Sequence, residues 1–204
     1  MATKGETTKE NILEIAQNLM LQKGFSGTSL EEIIGSAKIT KSGFFYHFES
    51  KNDLAKHLML KYQADDEVFF NGLFDRAEEL SDDPLQQILI FLKLLSESME
   101  NLPDVHPGCL VATFTSANQQ LNDEVKRVTA ECTLSWRTLF SAHLEKVNQH
   151  YNLQIETTIN ELADMLSTII EGGIIMSRTL NNQKILVRQI IQYQNYIKLV
   201  FKNH

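Results

Sequence analysis

Apolar positions in this chain fall at helical spacing, without the alternating runs that mark strands. Residues 28–54 compress that spacing into short pieces. A run from Ser29 to Ala37 places Leu30, Ile33 and Ile34 on one face. Lys38-Ile39 turns the chain, and Thr40 caps a second short run that carries Phe44 and Phe48 inward. A third helix begins directly afterwards. This is the apolar spacing of a helix-turn-helix (about 29–48), whose second helix can enter a DNA major groove. Thr28 with Glu31, Ser50 with Asp53 and Thr7 with Glu10 have capping-box spacing at three successive predicted helix starts.

Longer helices are predicted beyond this unit. One runs from Lys51 to about Glu79, and its acidic run Asp65-Asp66-Glu67 reads as a solvated stretch. Asp83-Pro84 starts the next with a cap and a proline at the first position, and it continues to about Glu100. Asn101 to Gly108, holding Pro103 and Pro107, breaks the pattern. A short helix to about Asn118 follows, then one from Leu121 to about His150, then two over about 156–180 and 183–202. The first six or so residues read as a loose arm.

Composition narrows the class. The 204 residues include only three prolines and nine glycines, and 43% are apolar, enough for an ordinary packed core. Nothing resembles a signal segment, and no stretch of about 18 apolar residues is present, so a cytoplasmic protein with no membrane partner is expected. Cys109 and Cys132 lack a disulfide framework spacing, which suits a reducing compartment. The net charge of −7 argues against a nucleic-acid binder until its distribution is considered. Six lysines and six glutamates cancel over residues 1–51, so the whole acidic excess lies beyond position 51. No nucleophile elbow, phosphate loop or HExxH sequence supports an enzyme, and no cofactor is implied.

The segment Thr40-Lys41-Ser42-Gly43-Phe44-Phe45-Tyr46-His47-Phe48-Glu49-Ser50-Lys51 resembles the signature of TetR-type transcriptional regulators. That signature runs roughly Ser/Thr-Lys-x-x-x-Tyr-x-His/Tyr-Phe-x-x-Lys. The resemblance implies an all-α fold: a three-helix DNA-binding domain over 6–66, then a helical regulatory and dimerisation domain over 67–204. It further implies a homodimeric repressor of double-stranded DNA that a small-molecule effector releases from its operator. Lys41, Ser42, Gly43 and Phe45 would then face the groove floor, with Lys41 donating to guanine O6 and N7 and Phe45 packing on a thymine methyl. Thr28, Thr40, His47 and Lys51 would hold phosphates, and Tyr46 stands between contact and packing. Two residues depart from the family pattern. Phe45 replaces a usual tyrosine, and Lys38 sits where the turn often has glycine, at about 1 kcal/mol for a left-handed backbone.

The last two predicted helices suit pairing across a two-fold axis. A wide apolar stripe, including Leu166, Ile169 and Gly173, marks the first of them. The second, with Ile190 and Ile197, is apolar nearly all round and needs two packing partners. A dimer interface supplies the second partner; a monomer burying both helices internally is the alternative. A dimer would present two reading helices to a palindromic operator. Phe91, Leu95, Met99, Cys109, Phe114, Trp136, Phe140 and Met165 are candidates for an effector pocket, or are plain core. Cys109 follows His106-Pro107-Gly108 at a predicted helix start, where the dipole and His106 can lower its pKa, so it is a candidate oxidant- or electrophile-sensing thiol or a structural cysteine. His106 and Cys109 alone make a poor metal site, and none is expected. Control by a protein partner instead of a ligand is the other reading.

Overall fold

The capping chemistry sets most of the helix boundaries in the computed structural model, which describes residues 4–203. Among the described residues the α-helices are α1 (Lys4–Gly27), α2 (Leu30–Ser36), α3 (Lys41–His47), α4 (Lys51–Leu80), α5 (Pro84–Glu100), α6 (Leu110–Ser116), α7 (Asp123–Asn148), α8 (Ile159–Thr179) and α9 (Lys184–Val200). Asp83 Oδ1 accepts the Gln86 N–H at 2.8 Å with Pro84 at the first position, as its sequence predicts. Thr158 and Glu161 close a full capping box at α8.

Two expected caps fall elsewhere. Gly24, at φ +76°, breaks the regular course of α1 and folds the chain so that Thr28 is buried. Its hydroxyl donates to the Gly24 carbonyl at 2.9 Å, and the cap of α2 passes to Ser29, which accepts the Glu32 N–H at 3.1 Å. Thr7 lies inside α1 because that helix is already formed at Lys4. The expected arm is thus helical from residue 4, and residues 1–3 lie outside the described residues. Ser50 does accept the Asp53 N–H at 3.1 Å, but the Asp53 carboxylate returns to the Glu49 amide instead of that of Ser50.

One pair of strands was not anticipated. β1 (Tyr151–Leu153) and β2 (Phe201–Asn203) pair antiparallel, Leu153 opposite Phe201. Three residues are too few to display a two-residue period, so the sequence carries no signal for them.

The chain divides into two compact units. The first holds residues up to Ala64 together with Pro107–Thr133, and the second holds Asp65–His106 and Leu134–His204. Residues 107–133, which the sequence assigns to the regulatory part, thus pack in the first unit. There Phe114 of α6 meets Phe25 of α1 edge-on at 5.7 Å, and the Asn52 side chain accepts the Asn122 N–H at 3.0 Å.

The second unit is built around α9. Its Leu186, Ile190, Tyr193, Ile197 and Val200 are buried among Phe74, Phe91, Leu95, Phe140 and Leu166. Each such side chain contributes about 1.5–3 kcal/mol. A Cβ on Gly173 of α8 would lie 2.8 Å from Leu186 Cδ1 and 3.2 Å from its Cα, so glycine is what allows α8 this close to α9. The two partners that α9 needs are therefore α5 and α8 of its own chain. Leu166, Gly173, Ile190 and Ile197, expected at a dimer interface, are buried inside the protomer instead, and Ile169 is half-buried. Asn181, at φ +47°, ends α8 in a left-handed turn in which the Asn182 N–H reaches the Ser177 carbonyl.

Polar groups punctuate this core. Phe91, Phe74 and His143 stack face to face at 3.8 and 3.6 Å, and burial, then the Lys146 charge, pushes His143 down to about 4. Tyr193 donates to the Leu162 carbonyl at 2.7 Å. Asp66, expected in a solvated run, turns inward and accepts the Trp136 indole N–H at 3.1 Å. Burial pushes its carboxyl up to about 7 against that hydrogen bond, and Asp65 adds to the rise. No helix among the described residues is long and apolar enough to cross a membrane.

The folded chain holds the Asp66 proton more tightly than the unfolded chain does. Its stabilising contribution is complete below the unfolded carboxyl value and is lost as pH rises through about 7. Asp66→Asn should therefore raise the thermal midpoint at about pH 8, and that gain should vanish toward about pH 4 in a calorimetric pH series.

Candidate nucleic-acid interface

The order of the three helices α2, α3 and α4 follows from two rings. Phe44 and Phe48 are almost fully buried in the first unit, tilted against one another at 5.6 Å, and Phe48 meets His57 of α4 edge-on at 5.4 Å. Between α2 and α3, Lys38 adopts φ +54°. Its N–H reaches the Gly35 carbonyl and the Ile39 N–H reaches the Ile34 carbonyl, both at 3.2 Å. That pair is a Schellman motif, closed here by a lysine where glycine would carry no Cβ penalty.

With Phe44 and Phe48 inward, helical geometry turns the intervening residues out. Lys41 and Ser42 are exposed, Phe45 is 44% exposed and Tyr46 is 82% exposed. The Phe45 ring stands edge-on to the buried Phe44 at 5.4 Å, and Tyr46 stands edge-on to His47 at 4.9 Å. Thr40 caps α3 by accepting the Gly43 N–H at 3.0 Å, and its hydroxyl lies 3.0 Å from that of Ser42. A Cβ on Gly43 would come within 3.2 Å of the Thr40 hydroxyl, so this glycine also gives its own cap room. An exposed lysine and two solvent-facing rings thus share a seven-residue helix, with a hydroxyl pair at its start. Side chains of this kind suit base edges, thymine methyls and phosphates.

Two expected phosphate contacts are engaged within the chain. Thr28 is 1% exposed and its hydroxyl is engaged with Gly24. Lys51 is half-buried and donates to the Phe25 carbonyl, with its ammonium 4.1 Å from the Phe25 ring centre. Burial lowers its pKa.

The expected effector residues are divided between the two units. Phe91, Leu95 and Phe140 are buried in the second unit, with Met99 and Trp136 packed against the same core. The space they approach, among Phe74, Ile88, Phe91, Phe140, Leu166 and Tyr193, amounts to about 10 Å³, room for roughly one water. Met165 is exposed on α8, and Phe114 and Cys109 belong to the first unit. Cys109 is 5% exposed, and burial, then Arg178, lowers the pKa of His106. Burial disfavours the thiolate form of a thiol, which fits the structural alternative. The inward placement of Asp66 has a signal in the sequence, since Tyr62, Asp66, Phe70 and Phe74 follow one another at four-residue spacing on one helix face.

These features define a helical protein with a helix-turn-helix whose second helix is free on one side. Residues 12–58 match the bacterial regulatory proteins of the tetR family, and residues 84–190 match the C-terminal domain of LmrA/YxaF-like transcriptional regulators. The chain belongs to the tetR family of DNA-binding transcriptional regulators. It is 26% identical over 181 residues to the HTH-type transcriptional regulator YxaF of Bacillus subtilis (strain 168), covering 88% of each chain. It is 20% identical over 176 residues to the HTH-type transcriptional repressor DhaR of Mycobacterium sp. (strain GP1), covering 86% of this chain and 85% of that one. A TetR-family regulator from Agrobacterium tumefaciens shares the fold with a TM-score of 0.79 at 19% identity, over 98% of this chain and all of that one.

Lys38→Gly should raise stability by about 1 kcal/mol by removing the left-handed penalty, partly offset by unfolded-state entropy. Urea midpoints at unchanged m-value would measure it, and a midpoint at or below wild type would refute the account.

Proposed function

We propose that this regulator is a repressor that binds a palindromic operator as a two-fold dimer and leaves it when a small molecule occupies the second unit. The observation that carries the reading is the free face of α3, with Lys41, Ser42, Phe45 and Tyr46 outward and Phe44 and Phe48 inward. Lys41 reads guanine, Phe45 packs on a thymine methyl, and Thr40, His47 and Tyr46 meet the backbone. The resemblance to a protein named a repressor favours repression over activation. The burial of Cys109 favours reversible ligand binding over thiol chemistry. A ligand that enters the aromatic core has to open it, and it changes DNA affinity only by favouring one arrangement of the protein over another.

The dimer surface differs from the buried set first expected. Met165, Ile169, Gly172, Met176 and Leu180 follow one stripe of α8 at three- and four-residue spacing, with Met165, Met176 and Leu180 exposed. Exposed apolar stripes of this kind suit a second copy of the same helix. Met176→Asp should therefore shift the protein to monomer in sedimentation velocity without unfolding it. An unchanged dimer would exclude this face.

The operator reading is tested by selecting a random double-stranded library on the purified protein at physiological salt. Enrichment of one palindrome, abolished by Lys41→Ala, is the expected result. A folded, dimeric protein that enriches no sequence would overturn it, and control through a protein partner would then lead.

A further inference from the structure

A pocket of about 190 Å³ opens between α6, the short turn Asn118–Gln120 and the first half of α7, inside the first unit. None of its lining residues belongs to the aromatic core of the second unit. Phe114, Leu121 and Thr129, all buried, close its inner side. Lys126, Thr129, Ala130 and Thr133 follow one another at three- and four-residue spacing, so one face of α7 forms a wall.

The polar groups on this lining differ in what they have left to offer a ligand. The Thr129 and Thr133 hydroxyls already donate to the Val125 and Thr129 carbonyls, at 2.8 and 3.2 Å. The Thr115 hydroxyl and the Asn118 amide make no side-chain hydrogen bond among the described residues. Lys126 supplies the charge, and its ammonium lies 3.5 Å from the fully exposed Asp123 carboxylate. An ion pair as open to water as this one contributes little and is readily exchanged. An ammonium, an amide N–H and a hydroxyl beside a buried ring are the complement of an anion with an apolar body. The volume lies below the roughly 300–1,000 Å³ of pockets for drug-sized ligands, so the occupant is small.

We infer that this pocket is a second ligand site, built for a small monocarboxylate: the carboxylate meets Lys126 with Thr115 and Asn118 as further donors, and the apolar body lies against Phe114 and Leu121. Phe114 also meets Phe25 of α1 edge-on at 5.7 Å, and Asn52 of α4 holds the Asn122 N–H next to the short turn. A ligand here therefore joins α6 to α7 within the unit that carries the helix-turn-helix, and it enters without opening the aromatic core.

The test is a titration of isotope-labelled full-length protein with benzoate, followed by backbone amide shifts, with benzamide as the uncharged analogue. Benzoate should give saturable shifts that are largest in α6, the Asn118–Gln120 turn and the start of α7. Benzamide should bind about tenfold more weakly, the scale of a hydrogen bond to a charged group. Lys126→Met should cost benzoate about the same factor and leave benzamide unchanged. Ala130→Leu places a good helix former at an exposed position and fills the pocket, so it should abolish binding at an unlowered thermal midpoint. Largest shifts in the second unit would place the ligand in the aromatic core and overturn the inference. Equal binding of benzoate and benzamide, undiminished binding to Ala130→Leu, or no saturation at millimolar benzoate would overturn it as well.

Discussion

A helix of seven residues does not hold itself in water, because nucleation fixes several residues for each hydrogen bond gained. Whatever α3 presents to a partner therefore depends on the burial of Phe44 and Phe48, its two anchors in the first unit. Their packing against one another and against His57 sets the rotation of α3 about its own axis. Because Phe45 and Tyr46 lie between the anchors in sequence, that rotation is what turns them outward. The left-handed Lys38 and the Thr40 cap then fix where α3 starts.

Charge acts on the same surface from a distance. The excess of acid beyond residue 51 leaves the helix-turn-helix segment neutral, with Lys41 exposed on α3. A surface of this kind gains little from non-specific attraction to DNA, so discrimination must come from contacts to base edges and methyls. A phenylalanine among those contacts adds apolar contact and no hydrogen bond.

The second unit departs in places from a plain apolar core. The Phe91, Phe74 and His143 stack, the Tyr193 hydroxyl on a helix carbonyl and the Asp66–Trp136 pair all place polar groups among aromatic rings. His143 and Asp66 lean toward their neutral forms, one by losing a proton easily and the other by keeping one. Burial disfavours charge in both, with opposite signs of shift because one is a base and the other an acid.

Local pattern and local chemistry were legible in the sequence. The helical class, the boundaries of α4 and α5, the Asp83-Pro84 start, the breaker over Asn101 to Gly108 and the inward turn of Phe44 and Phe48 need only spacing, caps and turn residues. So did the left-handed Lys38, since the motif places a glycine-favouring turn there. Which partner each apolar face meets was decided only in three dimensions. Leu166, Gly173, Ile190 and Ile197 read as interface because periodicity reports that a face is buried, not which chain buries it. Thr28 reads as a phosphate contact because a hydroxyl does not reveal from sequence whether a carbonyl of the same chain already holds it. Spacing along one helix is a local quantity that the sequence specifies directly, whereas the neighbour across a packed face is set by the closing of the whole chain.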